Sequence, residues 1–292
     1  MKLEAKPIAP RGKDDPAIVR WGLTLLAVAI GGVLVVVPVV NVFWQALAGG
    51  VGAYFETLLA PDNASAIGMT LTVASAAVLA NLIFGVAAAW CIARFRFPGR
   101  ALLITLIDLP FSVSPVVAGL VLMLIFGLKG FLGPWLRDHD IDIVFATPGL
   151  ILATAFVTFP FVARELIPLM EAIGPDEEMA ALSLGASGWQ MFWRITLPNI
   201  QWGLLYGVIL CNARAMGEFG AVYVVNGRVS GEMTIPLRVN FLFESGKHAG
   251  SFALASVLTV LALVTLVLKV WLERKVIEES PRAAADELGE KA

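Results

Sequence analysis

The stretch GPDEEMAALSLGASGWQMFWRITLP, residues 174–198, decides how the rest of the chain is interpreted. It predicts two short helices joined at Gly185, because glycine commonly ends a helix. Acidic residues 176–178 suit the first turn of the first helix, and Ser187 with Gln190 three residues later fits a capping box that starts the second. Neither helix approaches the roughly 20 residues needed to cross a bilayer. We therefore predict a helical hairpin held against a membrane bundle and facing a partner outside the lipid.

The composition places the chain in a membrane. Of its 292 residues, 58% are hydrophobic and only 15% are charged, and the mean hydropathy is +0.82. A soluble domain of this size does not need so much apolar surface, so the composition indicates a polytopic membrane protein with lipid as its surroundings. The net charge of −2 says nothing about nucleic acid, and because no basic stripe is visible we predict no nucleic-acid partner.

Apolar runs of spanning length predict an all-α membrane protein. The predicted transmembrane helices are six, at 21–47, 64–93, 101–126, 147–165, 200–225 and 251–272. They form one transmembrane domain over residues 21–272, with an N-terminal tail at 1–20 and a C-terminal tail at 273–292. The hairpin at 174–198 lies between the fourth and fifth helices.

Basic residues set the predicted orientation. The N-terminal tail, the turn at 94–100 and the start of the C-terminal tail are basic, whereas the loop at 48–63 has no Lys or Arg. By the positive-inside rule both chain ends and the hairpin are cytoplasmic. The external loop at 226–250 nevertheless carries Arg228, Arg238 and Lys247. A long loop tolerates such residues, and an attraction for anions is the alternative interpretation.

The fifth predicted helix contains an ionisable pair, Arg214 and Glu218. Residues four apart share a helix face and can pair, and charges at this depth cost several kcal/mol unless they are paired or face water. This predicts a pathway or gate site, since a guanidinium also suits a tetrahedral oxyanion. The alternative is a buried pair that fixes helix packing or gate position without touching substrate. Gly217 and Gly220 are predicted to admit a neighbouring helix closely.

Asp108, in the third predicted helix, is the second candidate for the pathway or gate. A structural role is favoured: it pairs with an arginine near the cytoplasmic end or shapes a helix kinked by prolines. The sequence contains no G-x-x-x-x-G-K-[ST], no H-E-x-x-H and no nucleophile-and-base arrangement. We therefore predict no catalytic residue, no metal and no cofactor bound by this chain, with chemical energy supplied by a separate subunit.

The hairpin resembles the cytoplasmic loop of permease subunits of bacterial ABC importers, whose pattern is E-A-A, three residues, G, nine residues and I-x-L-P. Met179 stands at the position of the pattern's glutamate, and Glu178 lies one residue earlier. The resemblance implies the type I importer permease fold, in which this loop is a coupling helix that docks into a groove on the ATP-hydrolysing subunit. The coupling residues it implies are Glu178, Met179, Ala180, Ala181, Gly185, Ala186, Ile195, Leu197 and Pro198.

Further motifs resemble the sulfate/thiosulfate importer permeases, and the W-type subunit in particular. The motifs of the permeases in general are RFRFPGR at 94–100, DLPF at 108–111, SPVVAG at 114–119, PFVARE at 160–165 and RAMGEFGA at 214–221. The resemblance to the W-type subunit lies in LGASGWQMF at 184–192 and LPNI at 197–200. The resemblance implies a T-type sister permease, two ATPase subunits that bind ATP-Mg, a periplasmic sulfate-binding protein and the bacterial inner membrane. Molybdate permeases share R-x-x-G-E-F-G, so molybdate, tungstate or another oxyanion is the alternative substrate. An ATP-independent secondary transporter is a further alternative, which lacks support because no internal repeat is visible.

Overall fold

The computed structural model describes residues 17–227 and 233–289, and within these ranges the chain is helical, without a β-strand. The helices are α1 Ala17–Leu47, α2 Val51–Leu59, α3 Pro61–Arg94, α4 Arg100–Ser112, α5 Pro115–Phe126, α6 Gly133–Asp138, α7 Thr147–Thr158, α8 Pro160–Ile173, α9 Asp176–Ser183, α10 Gly188–Met191, α11 Leu197–Met216, α12 Gly220–Asn226, α13 Ile235–Glu244 and α14 His248–Gly289. A π-helical turn, Phe192–Thr196, joins α10 to α11. The all-α prediction is confirmed.

Six membrane crossings can be counted within these described ranges. Helices α1 and α3, the α7–α8 stretch Thr147–Ile173 and the first part of α14, His248–Leu272, are each long and apolar enough to span a bilayer. Two further pairs meet the same criterion but are bent, α4 with α5 by 112° and the helix Gly188–Met216 with α12 by 50°. With each bent pair taken as one crossing, the number agrees with the six predicted. The fourth crossing runs past its predicted end at Glu165 to Ile173.

The third crossing is broken, whereas the sequence predicted one kinked helix over 101–126. Helix α4 ends at Ser112 and α5 begins at Pro115. Ser114 is extended, with φ −58° and ψ 135°, which is the conformation that a following proline imposes. Pro115 also has no N–H to continue the helical ladder. Pro110, by contrast, remains inside α4.

The fifth crossing differs from its prediction at both ends. The π-helical turn carries the second helix of the hairpin directly into α11, so Pro198 lies in the first turn of α11 and does not end the hairpin. At the other end the helix stops at Met216 and resumes at Gly220, where the sequence predicted one helix over 200–225.

Helices α3, α8 and α11 form the centre of the bundle around Val162, which is fully buried. A Cβ added to Gly85 of α3 would lie 2.8 Å from Val162 Cβ. A Cβ added to Gly207 of α11 would lie 3.3 Å from Val162 Cα. Small residues at such contacts let helix backbones approach in a membrane, where packing replaces the hydrophobic drive.

Asn81 of α3 donates a hydrogen bond to a backbone carbonyl at the point where α7 ends and α8 begins. The Phe159 N–H donates to Phe156 O, which leaves Ala155 O without its helical donor. Asn81 Nδ2 donates to Ala155 O at 3.1 Å and to Thr158 Oγ1 at 2.8 Å. Such replacement of a lost helical bond by a neighbouring side chain is what permits a break at membrane depth.

The first and last described helices differ from the predicted tails. Helix α1 buries only Ala46, and its apolar side chains from Ile18 to Trp44 are largely exposed, as suits a helix covered by lipid. Of the predicted tail at 1–20, residues 1–16 lie outside the described residues and α1 already begins at Ala17. Helix α14 continues past Leu272 to Gly289, so most of the predicted C-terminal tail at 273–292 is helical.

Candidate functional site

The predicted hairpin is present. Helix α9 ends at Ser183, the chain turns at Gly185 with φ +86°, and a helix restarts at Gly188. The capping box is also present: Gln190 N–H donates to Ser187 Oγ at 3.3 Å, and Ser187 N–H donates to Gln190 Oε1 at 2.9 Å. Because φ +86° favours glycine, the conformation at Gly185 explains why a glycine stands at the turn.

The turn of the hairpin exposes apolar side chains. Leu184 is 90% exposed, Met179 59% and Leu182 45%. Gly185 is exposed beside them, whereas Ala181 is buried against the rest of the hairpin. We call Met179, Leu182, Leu184 and Gly185 the tip. Exposed apolar side chains that lie together on a segment too short to cross the bilayer indicate a protein interaction surface.

The remaining predicted coupling residues do not all share that surface. Ala180 is exposed and Ala186 is half-buried near the turn. Ile195 and Leu197 are half-buried and Pro198 is exposed, and they lie in the π-helical turn and the first turn of α11. The family pattern therefore combines residues of the tip with residues that join the hairpin to the membrane.

Glu178 lies at the base of the hairpin and points away from the tip surface. Arg94, the last residue of α3, donates from Nε to Glu178 Oε2 at 2.7 Å and from Nη2 to Oε1 at 3.2 Å. Both side chains are only 9% exposed. Thr196 Oγ1 donates to Glu178 Oε1 at 2.8 Å, and Arg94 Nη1 donates to Met170 O at 2.7 Å. Met179, at the position of the pattern's glutamate, has no share in this network.

Arg94 and Thr196 were not predicted as site residues. In the sequence, Arg94 stood out only as one of the basic residues that orient the chain and as the first residue of the family motif at 94–100. Its partner Glu178 lies 84 positions away, so no spacing rule connects the two. An arginine that directly ends a long apolar run is the one signal that a partner was needed, since its stem starts within the membrane.

The ion pair between Arg214 and Glu218 is confirmed, although the two residues do not share one helix. Arg214 Nη1 lies 2.6 Å from Glu218 Oε2, an ion pair by distance without the alignment of a hydrogen bond. Glu218 stands in the break between α11 and α12, and its Oε1 accepts the Ala221 N–H of α12 at 2.9 Å. The Glu218 side chain is 1% exposed and that of Arg214 is 35% exposed. The buried carboxylate thus holds an accessible guanidinium.

Only one of the two glycines at this break admits a neighbouring helix. A Cβ on Gly220 would lie 3.0 Å from Pro115 Cβ, so the first residues of α5 and α12 pack against each other. The prediction for Gly217 was wrong: the nearest atom to a Cβ there is Ala213 O of its own helix, at 3.8 Å. Gly217 follows the end of α11 with φ −94°, a conformation open to any residue.

Asp108 belongs to a separate and more exposed ion pair. Its Oδ1 lies 3.3 Å from Arg164 Nε of α8, and the two side chains are 40% and 57% exposed. The Arg164 guanidinium also lies over the Phe111 ring, 5.2 Å from its centroid. Asp108 therefore pairs with an arginine, as the structural interpretation predicted.

Of the basic residues in the loop predicted to be external, Arg238 has partners within the chain. Arg238 Nη2 donates to Asp62 Oδ2 at 2.8 Å, and its Nε donates to Asn63 Oδ1 at 3.0 Å. The structure therefore uses Arg238 to join α13 to the start of α3. Arg228 lies outside the described residues. Over 17–227 and 233–289, no group of three or more His, Cys, Asp or Glu side chains could hold a metal ion.

Comparison with known proteins identifies relatives over nearly the whole chain. Residues 81–278 match the family described as the binding-protein-dependent transport system inner membrane component. The chain is 48% identical over 269 residues, 92% of each chain, to the sulfate transport system permease protein CysW of Escherichia coli K12. It is 38% identical over 214 residues, 73% of this chain and 77% of the other, to the permease protein CysT of the same organism.

A solved structure shares the fold. The crystal structure of a bacterial alginate ABC transporter, in complex with an alginate pentasaccharide-bound periplasmic protein, aligns with a TM-score of 0.69 at 20% identity. The alignment covers 89% of this chain and 96% of that one. At this identity the likeness establishes the arrangement of helices and nothing about the substrate.

Proposed function

Because the chain belongs to the inner-membrane components of binding-protein-dependent transport systems, we propose that it imports sulfate, and thiosulfate with it, as the W-type permease of an ABC importer. The chain is a membrane permease subunit, and it forms the translocation pathway together with a sister permease of the T type. The observation that carries the substrate is that both relatives are sulfate transport system permeases, and the higher identity to the W-type one, 48% against 38%, supports the subunit type. A periplasmic sulfate-binding protein delivers the anion to this pair.

The energy for transport comes from two copies of a separate ATPase subunit, where ATP and Mg²⁺ bind. The exposed tip around Leu184 and Gly185 supports this coupling, because its apolar side chains lie at the end of α9 and in the turn that follows, exposed outside the buried core. Closure of the ATPase dimer around ATP moves the hairpin. Since the hairpin runs into α11 without a break, the bundle follows as a rigid body between inward- and outward-facing states.

Arg214 is the side chain that meets the anion in the pathway. Its guanidinium is partly exposed while Glu218 holds it in place from a buried position. A forked guanidinium matches two oxygens of a tetrahedral oxyanion. The break between α11 and α12 places this pair beside half-helices rather than in the middle of a rigid span, as suits a gate. Gly217 leaves space there, and Asp108 with Arg164 stabilises the neighbouring α4–α8 contact.

The test is uptake of labelled sulfate into proteoliposomes that contain this chain, the sister permease, the ATPase and the binding protein. Uptake that requires ATP and ceases when the ATPase is left out is the expected result. Unlabelled thiosulfate and molybdate are added as competitors, and stronger competition by molybdate than by thiosulfate would reassign the anion. Uptake by this chain alone without ATP would replace the importer with a secondary transporter.

A further inference from the structure

The base of the hairpin contains a buried ionic cluster that ties it to three other elements. Arg94 ends α3, Glu178 lies in the first turn of α9, and Thr196 ends the π-helical turn before α11. We call these three residues the base cluster. Glu178 accepts from both partners, and Arg94 also donates to Met170 O near the end of α8.

We propose that the base cluster is the joint through which movement of the hairpin reaches the membrane helices, with Arg94 and Glu178 as positioning residues. This role rests on the coupling between hairpin and ATPase proposed above. Neither residue touches substrate or nucleotide. They fix the direction of α9 relative to α3 and α11, so that displacement of the tip rotates the bundle instead of bending the hairpin.

The geometry of the Arg94–Glu178 pair opposes bending of the hairpin relative to the membrane helices. Two nitrogens of Arg94 reach two different oxygens of Glu178, at 2.7 Å and 3.2 Å, and this planar fork fixes orientation as well as distance. A third nitrogen of Arg94 holds the end of α8 through Met170 O. One carboxylate of α9 is therefore attached directly or through a single residue to α3, α8 and the helix that becomes α11.

Burial distinguishes this pair from the other ion pair at the cytoplasmic end. Arg100 and Glu171 also pair, at 2.5 Å, but their side chains are 41% and 46% exposed. Exposed pairs are screened by salt and contribute little, whereas removal of one partner of a buried pair leaves an uncompensated charge. The exposed pair therefore provides a matched control in the same region.

The π-helical turn explains how Thr196 joins the cluster. A π turn contains one residue more than an α turn, so it shifts the side chains that follow around the helix. Thr196, its last residue, is 2% exposed and donates to Glu178 Oε1. Such turns occur frequently at functional sites. Here the turn connects α11 to the Glu178 carboxylate of α9 through the Thr196 hydrogen bond.

The experiment compares variants of the complete reconstituted transporter by the amount of sulfate imported per ATP hydrolysed. Glu178→Gln and Arg94→Met are each expected to lower this ratio by roughly tenfold while ATP hydrolysis continues, because each leaves a buried charge unpaired. Thr196→Val, which keeps shape and removes only the donor, is expected to lower it by about threefold. Glu171→Gln is the control and is expected to leave it unchanged. The double variant Arg94→Met with Glu178→Gln is expected to be no worse than either single one, because it removes both charges together.

Two results would overturn the role of the base cluster. In the first, the variants lower the amount of assembled transporter but leave import per ATP intact in what is assembled, which would make the cluster a folding contact. In the second, Glu178→Gln and Thr196→Val behave like Glu171→Gln. ATP-independent uptake, or none, by the unsubstituted assembly would instead refute the proposed function, and the role of the cluster with it.

Discussion

The carboxylate of Glu218 interacts with both halves of a broken helix, α11 and α12. Its side chain is almost completely buried, with one oxygen beside Arg214 of α11 and the other accepting the Ala221 N–H of α12. The negative charge therefore caps the start of α12 and compensates the arginine at the end of α11. A carboxylate buried to this degree needs both contacts, because its desolvation is costly.

The Arg214–Glu218 pair predicts strongly non-additive substitutions. Arg214→Ala leaves a buried carboxylate, and Glu218→Ala leaves an arginine without its partner, so each is expected to abolish most sulfate uptake. The double variant is expected to show no less uptake than either single variant. In the unfolding of the purified chain, the interaction energy between the two substitutions is expected to be about 0.5–3 kcal/mol. Losses that simply add would show that the two side chains act independently.

Sequence spacing revealed one of the two central ion pairs and not the other. Arg214 and Glu218 were predicted as partners because they are four positions apart. Arg94 and Glu178 are separated by 84 positions, and they meet because α8 packs against α3 and the chain turns from α8 into α9 beside the end of α3. The hairpin itself followed from local signals, Gly185 and the Ser187 capping box, and both are confirmed. Local chemistry is thus visible in one sequence, whereas tertiary partners are not.

Among the helices, the two bent crossings meet at their breaks. Pro115 begins α5 and Gly220 begins α12, and these two residues are in contact. Gly119, one turn further along α5, approaches the backbone of Ala221. Prolines in the third crossing suggested a kink, but the sequence did not indicate that both interruptions would lie side by side, because that depends on how α5 packs against α12.

Gly119→Ala is expected to separate these half-helices. Its Cβ would lie 2.7 Å from Ala221 O and 2.9 Å from Val224 Cβ, distances at which the backbone has to move. Overpacking of this kind costs about 1–3 kcal/mol. Thermal unfolding in detergent is the measurement. Gly68→Ala is the matched control, since that glycine of α3 has open space around it, and the higher helix propensity of alanine is expected to leave the transition unchanged or raise it slightly. Equal transitions for both variants would contradict the close packing of α5 on α12.

Gly185→Asp tests the hairpin tip. The substitution puts a side chain on a residue with φ +86° and adds a charge to an apolar surface, so sulfate uptake is expected to fall by more than about tenfold. The chain should still insert, because the turn contacts no other element within 4 Å of that Cβ. Gly99, at the turn before α4, has a similar backbone conformation with φ +95°. Gly99→Asp therefore serves as the control for the effect of backbone strain alone. Normal uptake by Gly185→Asp would show that the tip is not the docking surface.

For the molecule as a whole, the apolar surface identifies its surroundings. Helix α1 presents its apolar side chains outward along nearly its full length, while the buried hydrophobic clusters lie mainly on α3, α7, α8, α11 and α12, with smaller contributions from α4, α13 and α14. Hydropathy alone predicted the number of crossings, because each must bury about the same length in lipid. It could not predict which crossings are broken, since the bent pairs meet the same hydropathy criterion as the continuous crossings.

Orientation in the membrane remains a prediction from basic residues, and cysteine labelling tests it. The chain has two cysteines, Cys91 half-buried and Cys211 buried, so the unsubstituted chain sets the background. Leu184→Cys at the hairpin tip is expected to react with a membrane-impermeant maleimide only when the cytoplasmic side is open. Asp138→Cys, on the exposed end of α6, is expected to react from the periplasmic side of intact cells.

The two labelling sites together decide the orientation, because an odd number of crossings separates them: the single α7–α8 crossing lies between α6 and the hairpin. Reversed labelling of both would place the hairpin outside the cell, where no ATPase could reach it. Labelling of both from the same side would mean that the α7–α8 stretch does not cross. Only opposite labelling, with Leu184→Cys inside, is compatible with a hairpin that receives movement from a cytoplasmic ATPase and passes it through α11 to the pathway.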